Sequence, residues 1–136
     1  MSHETLSQIS ALTETMFQRE FSKIREILKE ETVLRQSLVQ LDTQSKTAEI
    51  NHAQDCTMKT VGADILWQAW VSNTRRQLNI ELAQILARKI EAMVHVRKAF
   101  GRKEAVKSLI RTARQERQQK ITQLQAERLS LFGQNH

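Results

Sequence analysis

The residues that could do chemistry in this chain are few, and they are not arranged as a metal site. Its four histidines are scattered, at His3, His52, His95 and His136. Glu91 and His95 are four residues apart and would share a helix face, but no further ligand follows at a matching spacing. We therefore expect the Glu91–His95 pair to be a surface contact and the chain to bind no metal.

Nucleophilic and phosphate-binding motifs are also missing. Cys56 is the only cysteine and has no neighbour that would obviously activate its thiol. Gly62, Gly101 and Gly133 stand alone, whereas a phosphate-cradling loop clusters its glycines. We expect no enzymatic activity and no cofactor. A single cysteine also excludes an intrachain disulfide and fits a reducing compartment.

Composition predicts an all-α protein. The 136 residues contain no Pro and three Gly, are 40% hydrophobic and only 4% aromatic, and are rich in helix-forming Gln, Glu, Arg, Leu and Ala. No run approaches the roughly 18 apolar residues of a membrane span, and residues 1–20 do not resemble a secretory signal.

The chain is organised around a long helix over residues 65–131, in which apolar residues repeat every seven positions. One series runs through Val71, Leu78, Ile85, Ala92, Ala99, Val106 and Ala113, and a second through Leu82, Val96, Ile110, Leu124 and Leu131. Such a pattern predicts a continuous coiled-coil helix, roughly 100 Å long at about 1.5 Å per residue. We expect it to pass through Gly101 without a break.

The first helix is predicted over about residues 3–50. Ser2 is a candidate N-cap with Glu4 in the first turn, and Glu31 with Arg35 would form an ion pair on the solvent side. The apolar stripe consists of Leu6, Ile9, Leu12, Met16, Phe17, Phe21, Ile24, Ile27, Leu28, Leu34, Leu38, Leu41 and Ala48. Its phase shifts between Ile24 and Leu28, which predicts a stutter in the heptad repeat.

Residues 51–62 lose this periodicity and contain turn-forming Asn, Asp, Thr and Gly. We therefore predict a reversal at about 51–62 and a second helix over about 63–132. Together they form one coiled-coil domain, 1–136, folded as an antiparallel hairpin. Because the second helix is longer, part of it near the termini should extend as a single helix or contact another protein.

Trp67 and Trp70 lie three residues apart on one face at the start of the second helix. Two interpretations remain open. The tryptophans either seal the hairpin near its turn, or form an exposed docking patch because a two-helix coil has little volume to bury both.

Charge is distributed unevenly. Residues 1–60 carry seven Lys/Arg against nine Asp/Glu, and residues 61–136 carry fourteen against six. The basic positions Lys89, Lys103 and Arg117 interrupt the second apolar series, and we expect their side chains to snorkel to solvent and weaken the pairing. The basic run over 88–120 could be a solvated face, a surface for an acidic protein or a nucleic-acid site.

In layout the chain resembles the flagellar and type III secretion export-stalk family, the FliJ/YscO proteins. The resemblance covers nearly the whole chain and includes Trp67–Trp70, the run VRKAFGRKEA at 96–105, Leu109 and the QER at 115–117.

The resemblance implies a cytoplasmic shaft, peripheral at most to the inner face of the cell membrane. It would dock into a hexameric export ATPase and contact an export-gate protein or chaperones. It further implies that five basic residues meet carboxylates of the ring: Arg111, Arg114, Arg117, Lys120 and Arg128. Glu4 and Glu14 would lie nearby on the partner helix, and Trp67 and Trp70 would belong to the other end.

Two other functions compete with a stalk. A generic coiled-coil adaptor would self-associate independently of any ATPase. A nucleic-acid-binding helix is less favoured, because the basic residues surround the helix and no tyrosine lies among them.

Overall fold

The chain forms two α-helices, α1 (His3–His52) and α2 (Met58–Gln134). This computed structural model describes residues 2–53 and 58–134. Within those residues no strand occurs, and the helices pack against each other as an antiparallel pair with the second helix longer. The predicted all-α coiled-coil hairpin is therefore confirmed.

The first helix begins where the sequence predicts. The Thr5 amide donates a hydrogen bond of 3.2 Å to the Ser2 hydroxyl, and the Leu6 amide donates one of 3.1 Å to the Ser2 carbonyl. The Ser2 hydroxyl thus satisfies the Thr5 amide, which has no acceptor within the helix, and the Ser2 carbonyl accepts the first intrahelical bond, as in an N-cap. Glu4 follows in the first turn, where the helix dipole favours a negative charge.

The helices extend further into the middle of the chain than predicted. Asn51, placed in the turn by its residue type, is the penultimate residue of α1, and Gly62 lies inside α2. A lone Gly costs a helix only about 1 kcal/mol, so a long helix can continue through it. The same reasoning accounts for Gly101, where α2 is unbroken as predicted. Cys56 lies outside the described residues.

The hairpin divides into two compact units. The turn unit is Phe21–Val94, and the terminal unit is Met1–Glu20 with His95–His136. In the turn unit, Asp42 pairs with Arg75 and Glu30 with Arg88, so partner numbers fall along α1 as they rise along α2. In the terminal unit Phe17 meets Phe100, with ring centroids 5.8 Å apart, and Glu14 pairs with Lys103, so the same order holds. Each unit is therefore antiparallel in its own right.

The packed face of α1 differs from the predicted stripe. Buried and half-buried positions alternate at three and four without interruption: 6, 10, 13, 17, 20, 24, 27, 31, 34, 38, 41, 45 and 48. The predicted stutter is therefore wrong. Several positions of this face are polar, among them Thr13, Glu31 and Ser45, each at most 9% exposed. Because these packed residues are polar, hydropathy does not reveal the repeat. The apolar Leu12 and Leu28, which suggested a change of heptad phase, are exposed.

The packed face of α2 follows the predicted series up to Ala113. Val71, Ile85, Ala99 and Val106 are buried, and the remaining predicted members through Ala113 are half-buried. Leu124 and Leu131, the last members of the second series, are 58% and 63% exposed, in the part of α2 that the sequence predicted to extend as a single helix. The physical reason is that α1 offers them no opposing residues.

Candidate partner-binding surfaces

A charged cluster lies in the packed face of the turn unit. Lys89 Nζ donates a hydrogen bond of 3.0 Å to Glu31 Oε2, and Arg35 Nη2 donates one of 3.1 Å to Glu31 Oε1. The Glu31 side chain is only 11% exposed, so the expectation that it faces solvent is wrong. The bond from Lys89, and then that from Arg35, lowers the pKa of the Glu31 carboxyl below its ordinary value.

The terminal unit repeats this arrangement with different neighbours. Lys103 Nζ lies 3.1 Å from Glu14 Oε2 and 4.5 Å from the centre of the Phe17 ring, which adds a cation–π contact. Hydrogen bonds from Gln18 and then from Lys103 lower the pKa of the Glu14 carboxyl. The Lys103 side chain is 15% exposed, so it pairs within the packed face rather than snorkelling to solvent.

The sequence predicted that Lys89 and Lys103 would weaken the pairing of the two helices. In the structure they do not interrupt it. Each meets a carboxylate from α1, and sequence reasoning missed both partners, Glu31 and Glu14. The signal was available for Glu31, an acidic member of the packed stripe, and less so for Glu14, which borders the stripe next to Thr13. It could be used only once the unbroken repeat of α1 was known.

The exposed segment, defined as residues 114–134 of α2, follows the point where α1 begins. His3 and Leu6 line a hollow there with Ile110, Ala113 and Arg117 of α2. Every residue of the exposed segment is exposed, including Ile121 and Leu129. The predicted extension of α2 as a single helix is thus present in the terminal unit.

The predicted partner-binding arginines and lysine all lie on exposed positions of α2, but they do not share one face. Arg114 and Arg117 follow Ile110 and Ala113 by four residues, and Lys120 and Arg128 follow Arg117 by three and eleven, which places all four basic residues on the helix face of Ile110 and Ala113. Arg111 lies well to the side of that face. Four of the five candidates therefore form one surface.

The two tryptophans of the turn unit differ in burial, so one fits the interpretation as packing and the other the interpretation as exposed surface. Their rings stack with centroids 5.1 Å apart and planes inclined by 26°. Trp67 is half-buried, and its Nε1 is buried without a hydrogen-bond partner among the described residues. Trp70 is 49% exposed, and Leu66, four residues before it on the same helix face, is 74% exposed. Trp67 thus contributes to packing, and Trp70 leaves apolar surface exposed.

Other kinds of site can be assessed only over the described part of the chain. There, no group of three or more His, Cys, Asp or Glu side chains is placed to hold a metal ion. Over the same residues, neither helix contains a stretch apolar and long enough to cross a membrane. Comparison with protein-family models, with curated proteins and with solved structures finds no match to this chain.

Proposed function

We propose that this chain is a non-enzymatic coiled-coil stalk or adaptor of a flagellar or type III protein export apparatus. In this role the basic end of α2 docks into a hexameric export ATPase. The observation that carries the proposal is the exposed segment, a helix that continues past its intramolecular partner and bears Arg114, Arg117, Lys120 and Arg128. A shaft held by a ring suits charged contacts that can be made and broken, rather than a permanent apolar interface.

Charge in the terminal unit supports the same proposal. This unit carries eleven Lys/Arg against six Asp/Glu, whereas the turn unit carries ten against nine. An excess of positive charge favours an acidic partner and speeds its approach. In the turn unit, exposed Trp70 and Leu66 lie four residues apart on one helix face and offer an apolar patch, which we assign to an export-gate protein or a chaperone.

The test is a pull-down from the native host with this protein as bait. Wild-type bait is expected to recover the export ATPase, and bait with R114E, R117E and R128E is expected to lose it. A control bait with R97E, K98E and R102E makes the same charge change elsewhere on α2 and should retain the ATPase. Recovery by all three baits, or by none, would count against the proposal.

A second candidate function, a self-associating adaptor, is favoured by the outer face of α2 in the turn unit. Ile80, Ala83, Ala87, Ile90 and Val94 alternate at three and four and are all exposed, with Ile90 71% exposed. Small residues between large ones let two helices approach closely. Sedimentation equilibrium distinguishes the candidates: a dimer that I90K converts to a monomer would favour the adaptor.

A further inference from the structure

We infer that the exposed segment binds an acidic amphipathic helix of a partner protein, which continues the α1–α2 packing along α2. This deepens the proposed function and rests on it for the identity of the partner. The chemistry of the partner is argued below from the chain itself.

The first step is that the exposed segment continues the packed face of α2. The series through Ile110 proceeds at seven-residue steps to Arg117, Leu124 and Leu131, and the series through Ala113 proceeds to Lys120. Ile121 lies between these series on the same face and is 44% exposed. An established helix–helix interface thus runs on beyond the start of α1, and its apolar residues remain exposed.

The second step concerns the basic residues within this face. Arg117 and Arg128 alternate with Ile121 and Leu124 along the middle of the apolar stripe. The opposite face is mostly Gln, Thr and Ser, among them Gln115, Gln119, Thr122 and Ser130. The side that would meet a partner is therefore apolar with an excess of basic residues, although Glu127 follows Lys120 in the series through Ala113.

The third step is that this chain already shows what such a face binds. In the turn unit Lys89 lies on the packed face of α2 and pairs with Glu31 of α1. In the terminal unit Lys103 lies on that face and pairs with Glu14 of α1. In both units the occupant is a helix that offers apolar residues together with a carboxylate. Arg117 belongs to the same seven-residue series as Lys89 and Lys103, and the structure gives it no carboxylate in the described residues.

Two other occupants fit this face less well. A helix lying on a membrane places its basic residues at the borders of the apolar stripe, where they reach headgroups, but Arg117 and Arg128 lie at its centre. A parallel copy in register would oppose each arginine to itself, and an antiparallel copy paired about Leu124 would oppose Lys120 to Arg128; like charges disfavour both pairings. An antiparallel copy shifted so that Arg117 meets Glu127 would set Lys120 against Leu124, a charge against an apolar side chain.

The partner helix can therefore be specified. It carries Leu or Ile at alternating steps of three and four, and two carboxylates eleven residues apart, which is the spacing of Arg117 and Arg128. Eleven residues are about three helical turns, so both carboxylates share the apolar face of that helix. Arginine favours such partners because its guanidinium can pair with a carboxylate through two hydrogen bonds.

The experiment uses the full chain and a synthetic helical peptide of this design, followed by fluorescence anisotropy. The Glu peptide is expected to bind, and a peptide with Gln at both carboxylate positions should bind at least about tenfold more weakly. The variant R117E/R128E should lose binding of the Glu peptide and gain binding of a Lys peptide. The matched variant R97E/K98E should bind the Glu peptide as the wild type does.

Hydrogen exchange locates the contact, and bound peptide should protect amides over 114–134. Several results would overturn the inference: no binding of the Glu peptide, equal binding of the Gln peptide, or protection elsewhere. The inference would also be overturned if the exposed segment bound phosphatidylserine vesicles in preference to the Glu peptide. It would be overturned as well if a dimer without peptide protected the amides of 114–134 from exchange. None of these readouts involves an ATPase, so peptide binding without ATPase capture would refute only the stalk assignment.

Discussion

Truncating Leu41 to alanine tests the packed face of α1, and we expect it to lower the free energy of unfolding by about 2–3 kcal/mol. Leu41 is 3% exposed, so nearly all of its side chain is lost from packing. The change removes three carbon atoms at about 0.8 kcal/mol each, which gives about 2.4 kcal/mol. Because a two-helix coil is thin, solvent and neighbouring side chains can fill the gap, which keeps the value near the lower end for such substitutions.

The matched control is Leu66→Ala in the same unit. Leu66 is 74% exposed, so the same three atoms should contribute only about 0.6 kcal/mol, partly offset by the higher helix propensity of alanine. Urea unfolding followed by far-ultraviolet circular dichroism measures both variants. Equal losses for Leu41→Ala and Leu66→Ala would refute the assignment of the packed face.

The remaining predictions concern local helix energetics and pH. Gly101→Ala should raise stability by about 0.5–1 kcal/mol, measured by thermal unfolding, because Gly101 lies inside α2 with no atom within 4 Å of an added Cβ. A loss of stability there would contradict the open surroundings of that site. Ser2→Ala should cost about 1 kcal/mol locally and speed amide exchange at Thr5, and unchanged exchange would reject the N-cap. Folding lowers the pKa of Glu14 and Glu31, so their stabilisation is present above the unfolded-state pKa near 4.5 and is lost as pH falls through the lower folded values. The melting temperature should therefore fall at acid pH, less steeply in the E31Q variant, and an identical fall in E31Q would contradict the pairing.

The sequence was sufficient for α2 because its packed positions are mostly apolar and repeat every seven residues. It was insufficient for α1, where Thr13, Glu31 and Ser45 occupy packed positions and Leu12 and Leu28 do not. Hydropathy identifies a packed face only when the residues on it are apolar. A polar residue packed against a matched partner requires knowledge of the other helix.

The candidate partner-binding surface could also be predicted only in part from the sequence. Helical spacing alone places Arg114, Arg117, Lys120 and Arg128 on one face of α2. The sequence predicted that α2 extends near the termini, but the residue after which its face is no longer covered, Ala113, depends on where α1 begins relative to α2. Which of the two tryptophans packs and which is exposed likewise depends on how the two helices pair.

The lysine–glutamate pairs also determine how each unit responds to a force along its axis. A coil of evenly spaced apolar residues can slide by one repeat and stay packed. In the turn unit, sliding by seven residues would move Lys89 from Glu31 to Ile24 or Leu38 and leave a charge against apolar side chains. In the terminal unit, the same slip would separate Lys103 from Glu14. Each unit therefore resists axial slippage, and a load applied to one helix is transmitted to the other.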